Sequence, residues 1–489
     1  MIKAVFFEML IDFQSNRQQT SMYYHYTIVK ILNVLLLLFA VAISASAFPA
    51  YPVKIASGGR YLIDQNGTPF LVVGDTAHSL IVNLNESDAA TYMIDRKNHG
   101  FNSVAIYILC AANVGGRADG STLDGILPFT KNISSSTDYD LTAPNESYFK
   151  RVDDMVNIAA TNGLLAILDP IETDGWLTTL HSNGNSKCLT YGQYLGNRYK
   201  NHTNVLWYNG NDFQTWSTPG DDSLVLSVAQ GILSTATNEL QTIELNYYTS
   251  SSLDDSNWKP IVGINSVYTY YPTYAEVLHA YNQSTIPVIV CEDDYEFKTN
   301  PGTDGGSTSN LRRQEYWTLL SGATGQVYGN GYLNHFISGW QTHMDTTGAT
   351  QLEYCTELFV PRAWYNLIPD TSHSVVTAGY GTFSSTGGVG VNNYVTAAST
   401  PDGSLVMAYI PTTQTITMNM SKLSGISTAR WYDPTSGTFT NILGSPFSNT
   451  GSEKFTPPSA NSSGDEDWVI VMDKNVVIAP PTHLTIHGN

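Results

Sequence analysis

Between residues 60 and 367, apolar positions follow two alternating patterns. Short apolar runs end on polar or acidic residues: PFLVVGDT (69–76), FNSVAIYILC (101–110), LLAILDPIE (164–172), NVLWYNGND (204–212), TIELNYY (242–248), IVGINSVYTYY (261–271), IPVIVCEDDYE (286–296) and TGQVYGNG (324–331). Uninterrupted runs of this length predict strands covered on both faces. Between them the apolar residues recur at helical spacing. Ser87 to His99 reads as a helix stopped by Gly100, and Asn145 caps a stripe of Tyr148, Phe149, Val152, Met155, Val156 and Ala159. Further stripes are Tyr191, Tyr194, Leu195 and Tyr199; Leu224, Val225, Val228 and Ile232; Tyr274, Val277, Leu278 and Tyr281; and Leu311 to Leu320. Leu352 to Leu367 makes a last helix that Pro361 should split. The fifth crossover, around Asp254 to Lys259, is too short for a helix.

Eight strands alternating with helices predict a (β/α)₈ TIM barrel over residues 51–369, with an open doubly wound sheet as the runner-up fold. No G-x-G-x-x-G or P-loop follows any strand, so nucleotide binding has no support. From about Ser372 helical spacing stops. Short β-rich runs at 375–380, 394–398, 404–410, 415–420, 429–432 and 468–472 are separated by turn signals such as Pro401-Asp402-Gly403. They predict a C-terminal antiparallel β-sandwich over residues 370–478.

Composition changes this picture in one respect, the setting. Only 13% of the 489 residues are charged, and the net charge of -19 argues against nucleic acid or an anionic membrane as a partner. Ile31 to Ile43 is an apolar run followed by Ser44-Ala45-Ser46-Ala47, which predicts a signal peptide over residues 1–47 with a long leader. Met22 is an alternative start, and the run is short for a retained anchor. Eight N-x-S/T sequons, the first at Asn66 and the last at Asn461, fit a secreted, glycosylated protein; a monomer is expected. Four cysteines are too few for a disulfide scaffold and too scattered for zinc. Cys110 and Cys188 are expected to pair across two rim loops, and Cys291 and Cys355 to stay buried thiols.

The candidate chemistry is acidic. Asp212 and Glu292 end two buried strands on the rim where an α/β barrel keeps its chemistry. Two carboxyls on one rim are what glycoside hydrolysis needs: one to protonate the leaving oxygen, one to act at the anomeric carbon. Asp75 either binds sugar hydroxyls or caps the next segment. Asp169 and Glu172 are alternative proton donors or substrate ligands. Trp176, Tyr247, Tyr270, Tyr328 and Trp340 are candidates for stacking on sugar faces, and His78 for a hydroxyl contact. No two histidines have ligand spacing on one element, so neither a metal nor a cofactor is expected.

Ordered motifs carry a more specific resemblance: GRYLIDQNGTPFLVVGDTA (59–77), HGFNSV (99–104), NVLWYNGND (204–212), PVIVCEDDYE (287–296), YWTLLSGATGQVYGN (316–330), ARWYDPTSGTF (429–439) and DWVIVM (467–472). The chain resembles the apiosidase-like glycoside hydrolases, in which a barrel is followed by a β-domain labelled collagen-binding. The resemblance implies Asp212 as acid/base and Glu292 as nucleophile. Family members often carry Gly-Gly-Asp where this chain has Gly210-Asn211-Asp212, and an aromatic residue where it has His78, so Asn211 and His78 join the substrate-contact candidates. The expected function is a secreted retaining glycosidase acting on polysaccharide side chains. The alternatives are a transglycosylase using the same residues, and a non-catalytic carbohydrate- or matrix-binding protein.

Overall fold

The computed structural model describes residues 51–299 and 305–474. The expected signal peptide lies outside the described residues, and so do residues 300–304. Eight parallel strands form the core: β1 (Val72–Thr76), β2 (Ser103–Tyr107), β3 (Leu165–Asp169), β4 (Val205–Asn209), β5 (Gln241–Ile243), β6 (Asn265–Thr269), β7 (Val288–Glu292) and β8 (Gly325–Asn330). All their residues are buried, as strands covered by helices outside and side chains inside must be. The ladder runs β5-β4-β3-β2-β1-β8-β7-β6.

The curled sheet is stitched, not laddered, between β5 and β6. Thr242 Oγ1 donates to the Ile264 carbonyl at 2.8 Å and meets Ser266 Oγ at 2.7 Å, while the Gly263 N–H donates to the Gln241 carbonyl. A seven-residue strand over 242–248 is therefore not what forms. Thr249–Ser251 pairs antiparallel with β6 and takes its edge, so the chain leaves the sheet after Ile243.

Among the described residues seven longer helices cover the strands: α1 (Glu86–Asn98), α2 (Glu146–Thr161), α3 (Thr173–Tyr199, kinked at Gly184), α4 (Pro219–Thr235), α5 (Thr273–Gln283), α6 (Thr308–Leu320) and α7 (Thr347–Phe359). Asn145 caps α2 by accepting from the Ser147 N–H. The fifth crossover holds two 3₁₀ turns in place of a helix. α7 stops before Pro361, and a separate 3₁₀ turn follows at Trp364–Asn366. Among the described residues no helix is long and apolar enough to cross a membrane.

Nine further strands form two antiparallel sheets: β9 (Ile368–Pro369), β10 (Val376–Ala378), β11 (Thr396–Ser399), β12 (Leu405–Ile410), β13 (Ile416–Asn419), β14 (Thr428–Asp433), β15 (Thr438–Asn441), β16 (Ser452–Phe455) and β17 (Trp468–Asp473). One has the order β9-β11-β12-β17-β14-β15, the other β10-β13-β16. The larger sheet is apolar on both faces. Val406, Ala408 and Ile410 of β12 pack between the sheets, while Leu405, Met407 and Tyr409 pack with Tyr316, Trp317 and Phe359 of α6 and α7. Arg312 of α6 reaches the same junction. Its Nε donates to Asp467 Oδ2 at 2.7 Å and its Nη2 to Oδ1 at 2.6 Å, with side chains 1% and 2% exposed.

The expected Cys110–Cys188 disulfide does not form. All four cysteines are free and buried. Cys188 lies within α3, not on a rim loop, and its thiol points to the Leu180 carbonyl, whereas the Cys110 thiol donates to the His78 carbonyl at 3.2 Å. The helical segment opens at Thr173 and resumes after the Gly184 kink, which puts Cys188 on a buried helix face and not in a rim loop.

Candidate active site

The strand ends build the site. β4 runs into Gly210, Asn211 and Asp212, which all have positive φ: 102°, 65° and 44°. A Cβ at Gly210 would run into the Glu244 carbonyl, so only glycine fits there. Asn and Asp tolerate the left-handed region better than most residues. This turn lifts the Asp212 carboxyl off the strand line. Tyr268 donates to Asp212 Oδ1 at 2.8 Å. The Tyr268 and Tyr270 hydroxyls are 2.7 Å apart, and Tyr270 donates to Glu292 Oε1 at 2.6 Å. Two tyrosines on one face of β6, two residues apart as strand alternation requires, thus join the acid ending β7 to the acid following β4.

Burial, and then the charge of Glu292, push the Asp212 carboxyl up to about 7, against the opposing Tyr268 hydrogen bond. Asp212 therefore holds a proton well above the usual carboxylate range. On the rim, Lys298 stands 4.7 Å from the Tyr295 ring centroid, and its charge reaches both Asp212 and His78.

Around this pair stand residues that the sequence singled out and some that it did not. Asn211 donates through Nδ2 to the Tyr107 hydroxyl at 2.5 Å. His78 stacks on Tyr107 with ring centroids 4.0 Å apart, and burial keeps its imidazole neutral, its pKa well below the usual value. Tyr247 packs on Tyr248, close enough to Asp212 to feel its charge. Glu244, just past β5, was not singled out. It is 1% exposed and accepts from the Asp212 N–H at 2.9 Å. Asp212 and Glu292 end their apolar runs, whereas Glu244 sits inside TIELNYY, so the strand-end mark does not pick it out.

Other candidates are committed elsewhere. Asp75 accepts from Tyr92 at 2.8 Å and Arg96 at 3.2 Å, tying β1 to α1, with burial first and Arg96 opposing it to leave its pKa at about 6. Glu172 caps α3, accepting from the N–H groups of Gly175 and Ala111. Asp169 accepts from the Ile171 N–H, and burial raises its pKa far above the usual range. Trp176 is buried against Tyr139, Tyr328 donates to Glu296, and Trp340 packs edge-on against Phe336.

Residues 56–366 match the family model described as "Apiosidase-like, catalytic domain". Residues 387–473 match the model described as "Putative collagen-binding domain of a collagenase". Among solved structures, a protein named "Glycoside hydrolase" is 22% identical, with a TM-score of 0.74, covering 88% of this chain and 98% of its own. A glycoside hydrolase family 5 protein from Bacteroides vulgatus is 20% identical, with a TM-score of 0.73, covering 86% of this chain and 93% of its own. No curated protein matches the chain. The chain belongs to the apiosidase-like family, and its barrel is the catalytic domain of a glycosidase.

Proposed function

We propose that this glycosidase is secreted and retaining, with Glu292 as nucleophile and Asp212 as acid/base. The observation that carries the reading is the hydrogen-bonded row Asp212–Tyr268–Tyr270–Glu292, with Asp212 protonated near neutral pH. In the first step Glu292 attacks the anomeric carbon while Asp212 gives its proton to the departing glycosidic oxygen. The covalent ester removes the Glu292 charge. That charge is one cause of Asp212's raised pKa, so Asp212 becomes a stronger acid as the intermediate forms. Once ionised it accepts a proton from water, and the water releases the sugar with its original configuration.

The substrate is a glycan, and Asn211, His78 and Tyr247 are the side chains proposed to contact it. The chain reaches the cell exterior through cleavage after Ala47, which N-terminal sequencing of exported protein tests. The mechanism is tested by paired variants. Glu292→Gln should abolish turnover on every substrate. Asp212→Asn should be severe for poor leaving groups and mild for activated aryl glycosides, and added azide should partly rescue it with retention of configuration. Near wild-type activity in Glu292→Gln, or an azide product of inverted configuration, would refute the assignment.

A further inference from the structure

Glu244 is the buried acid that the two-carboxylate mechanism leaves unused. Its position is defined by the turn it faces. Its Oε1 accepts from the Asp212 N–H at 2.9 Å and from Asn211 Nδ2 at 3.4 Å. Its own N–H donates to the Asn209 carbonyl at 2.8 Å, and the next residue's carbonyl accepts from the Phe213 N–H at 2.9 Å. Backbone and side chain of 244 thus grip residues 209–213 from several sides. The gripped segment carries three consecutive positive φ angles, two of them on residues with side chains. Such backbone is strained for residues with side chains and persists only where its surroundings hold it.

The Cys291 thiol is the neighbour that can reach the Glu244 carboxyl from the barrel side, and the charge of Glu292 lies nearby. An ionised carboxylate there would stand beside Glu292, and no cation among the described residues bears on its charge. Burial, and then Glu292's charge, favour the neutral acid. A neutral carboxyl still offers Oε1 as an acceptor and adds no charge to the site.

We infer that Glu244 is a positioning residue for the glycosidase reaction: as a hydrogen-bond acceptor it holds the left-handed Asn211–Asp212 turn so that the Asp212 carboxyl meets the leaving oxygen. The inference rests on the proposed acid/base role of Asp212. It requires an acceptor at position 244, not an ionisable group. Glutamine should therefore serve and leucine should not.

The test compares Glu244→Gln, Glu244→Leu and Asp212→Asn on an aryl glycoside with a good leaving group and on a poor-leaving-group glycoside. Asp212→Asn is the gauge of the underlying reading. If its loss shows no leaving-group dependence, the acid/base assignment fails whatever Glu244 does. Given that dependence, Glu244→Leu should lower kcat on the poor leaving group about 100-fold, change the activated substrate less than about tenfold, and leave KM nearly unchanged. Glu244→Gln should stay within a few-fold of wild type on both, with the alkaline limb of kcat/KM against pH in place. Equal losses on both substrates in Glu244→Leu, or none, would overturn the inference. So would a Glu244→Gln variant as impaired as Glu244→Leu, or one whose alkaline limb moves to lower pH, since that movement means a negative charge was removed. The pH profile of Glu244→Gln decides even if the leucine variant does not fold.

Discussion

Tyr268→Phe isolates the hydrogen bond that Asp212 receives, and its effect can be worked out in sign and size. The hydroxyl donates to Asp212 Oδ1 at 2.8 Å. A donor favours the ionised carboxylate, so it holds the pKa down against burial and against Glu292's charge, the balance lying at about 7. Hydrogen bonds to charged groups contribute about 1.5–3 kcal/mol. The Asp212 side chain is half-buried and water can replace part of the bond, so the lower end applies. With about 1.4 kcal/mol per pKa unit, losing the hydroxyl should raise the Asp212 pKa by about one unit. The assay is kcat/KM against pH, which reports the free enzyme. The proton donor must be protonated to act, so the limb where activity falls with rising pH should move alkaline by about one unit. Tyr270→Phe is the control. It removes the Glu292 partner and leaves the Asp212 bond, so it should lower kcat and move that limb less. A limb that stays in place in Tyr268→Phe, or moves to lower pH, would refute the reasoning.

Asp212→Asn should stabilise the fold at pH 8 more than at pH 5. Between the usual carboxylate value and about 7 the native carboxyl holds more protons than the unfolded one, so wild-type stability falls as pH rises through that window. The gain should be about 2–4 kcal/mol by urea unfolding at pH 8; an equal effect at both pH values would count against a raised Asp212 pKa. Arg312→Met leaves Asp467 buried without its cation and should cost about 3–5 kcal/mol, whereas Arg312→Met with Asp467→Leu should recover most of it. Denaturant midpoints read this, and a single variant as stable as wild type would show that the junction does not depend on the pair. Thiol titration should find four free thiols after unfolding and almost none accessible in the native protein, because all four are buried; a count of two would revive a disulfide.

The strands were readable because a strand covered on both faces must be apolar throughout, and the acids at their ends interrupt that rule visibly. Asp212 and Glu292 were legible for this reason. Glu244 was hidden by the same rule: TIELNYY looks like one strand, and nothing local shows that the chain turns out after Ile243 because Thr249–Ser251 takes the edge of β6. Tyr270 is a candidate stacking ring by its place near the rim, but the apolar pattern does not show that its hydroxyl donates to Glu292. Its partnership with Tyr268 follows from strand alternation only once β6 is placed. β15 and β16 went unread because Thr438–Asn441 and Ser452–Phe455 are mostly exposed edge segments with little apolar content.

The two-faced larger sheet has a consequence for how this architecture can be rearranged. A module hung on a flexible linker can be exchanged by recombination without regard to what it leaves behind. The C-terminal strands cannot, because detaching them would bare Leu405, Met407, Tyr409 and Val469 on one side and Tyr316, Trp317 and Phe359 on the other. Exposed apolar surface of that kind drives self-association. Gene fusions or truncations made at the end of the barrel should therefore yield insoluble halves unless the newly exposed faces are redesigned together. Descent with this sheet retained should also keep α6 and α7 in step with β12 and β17, as two sides of a single inherited unit.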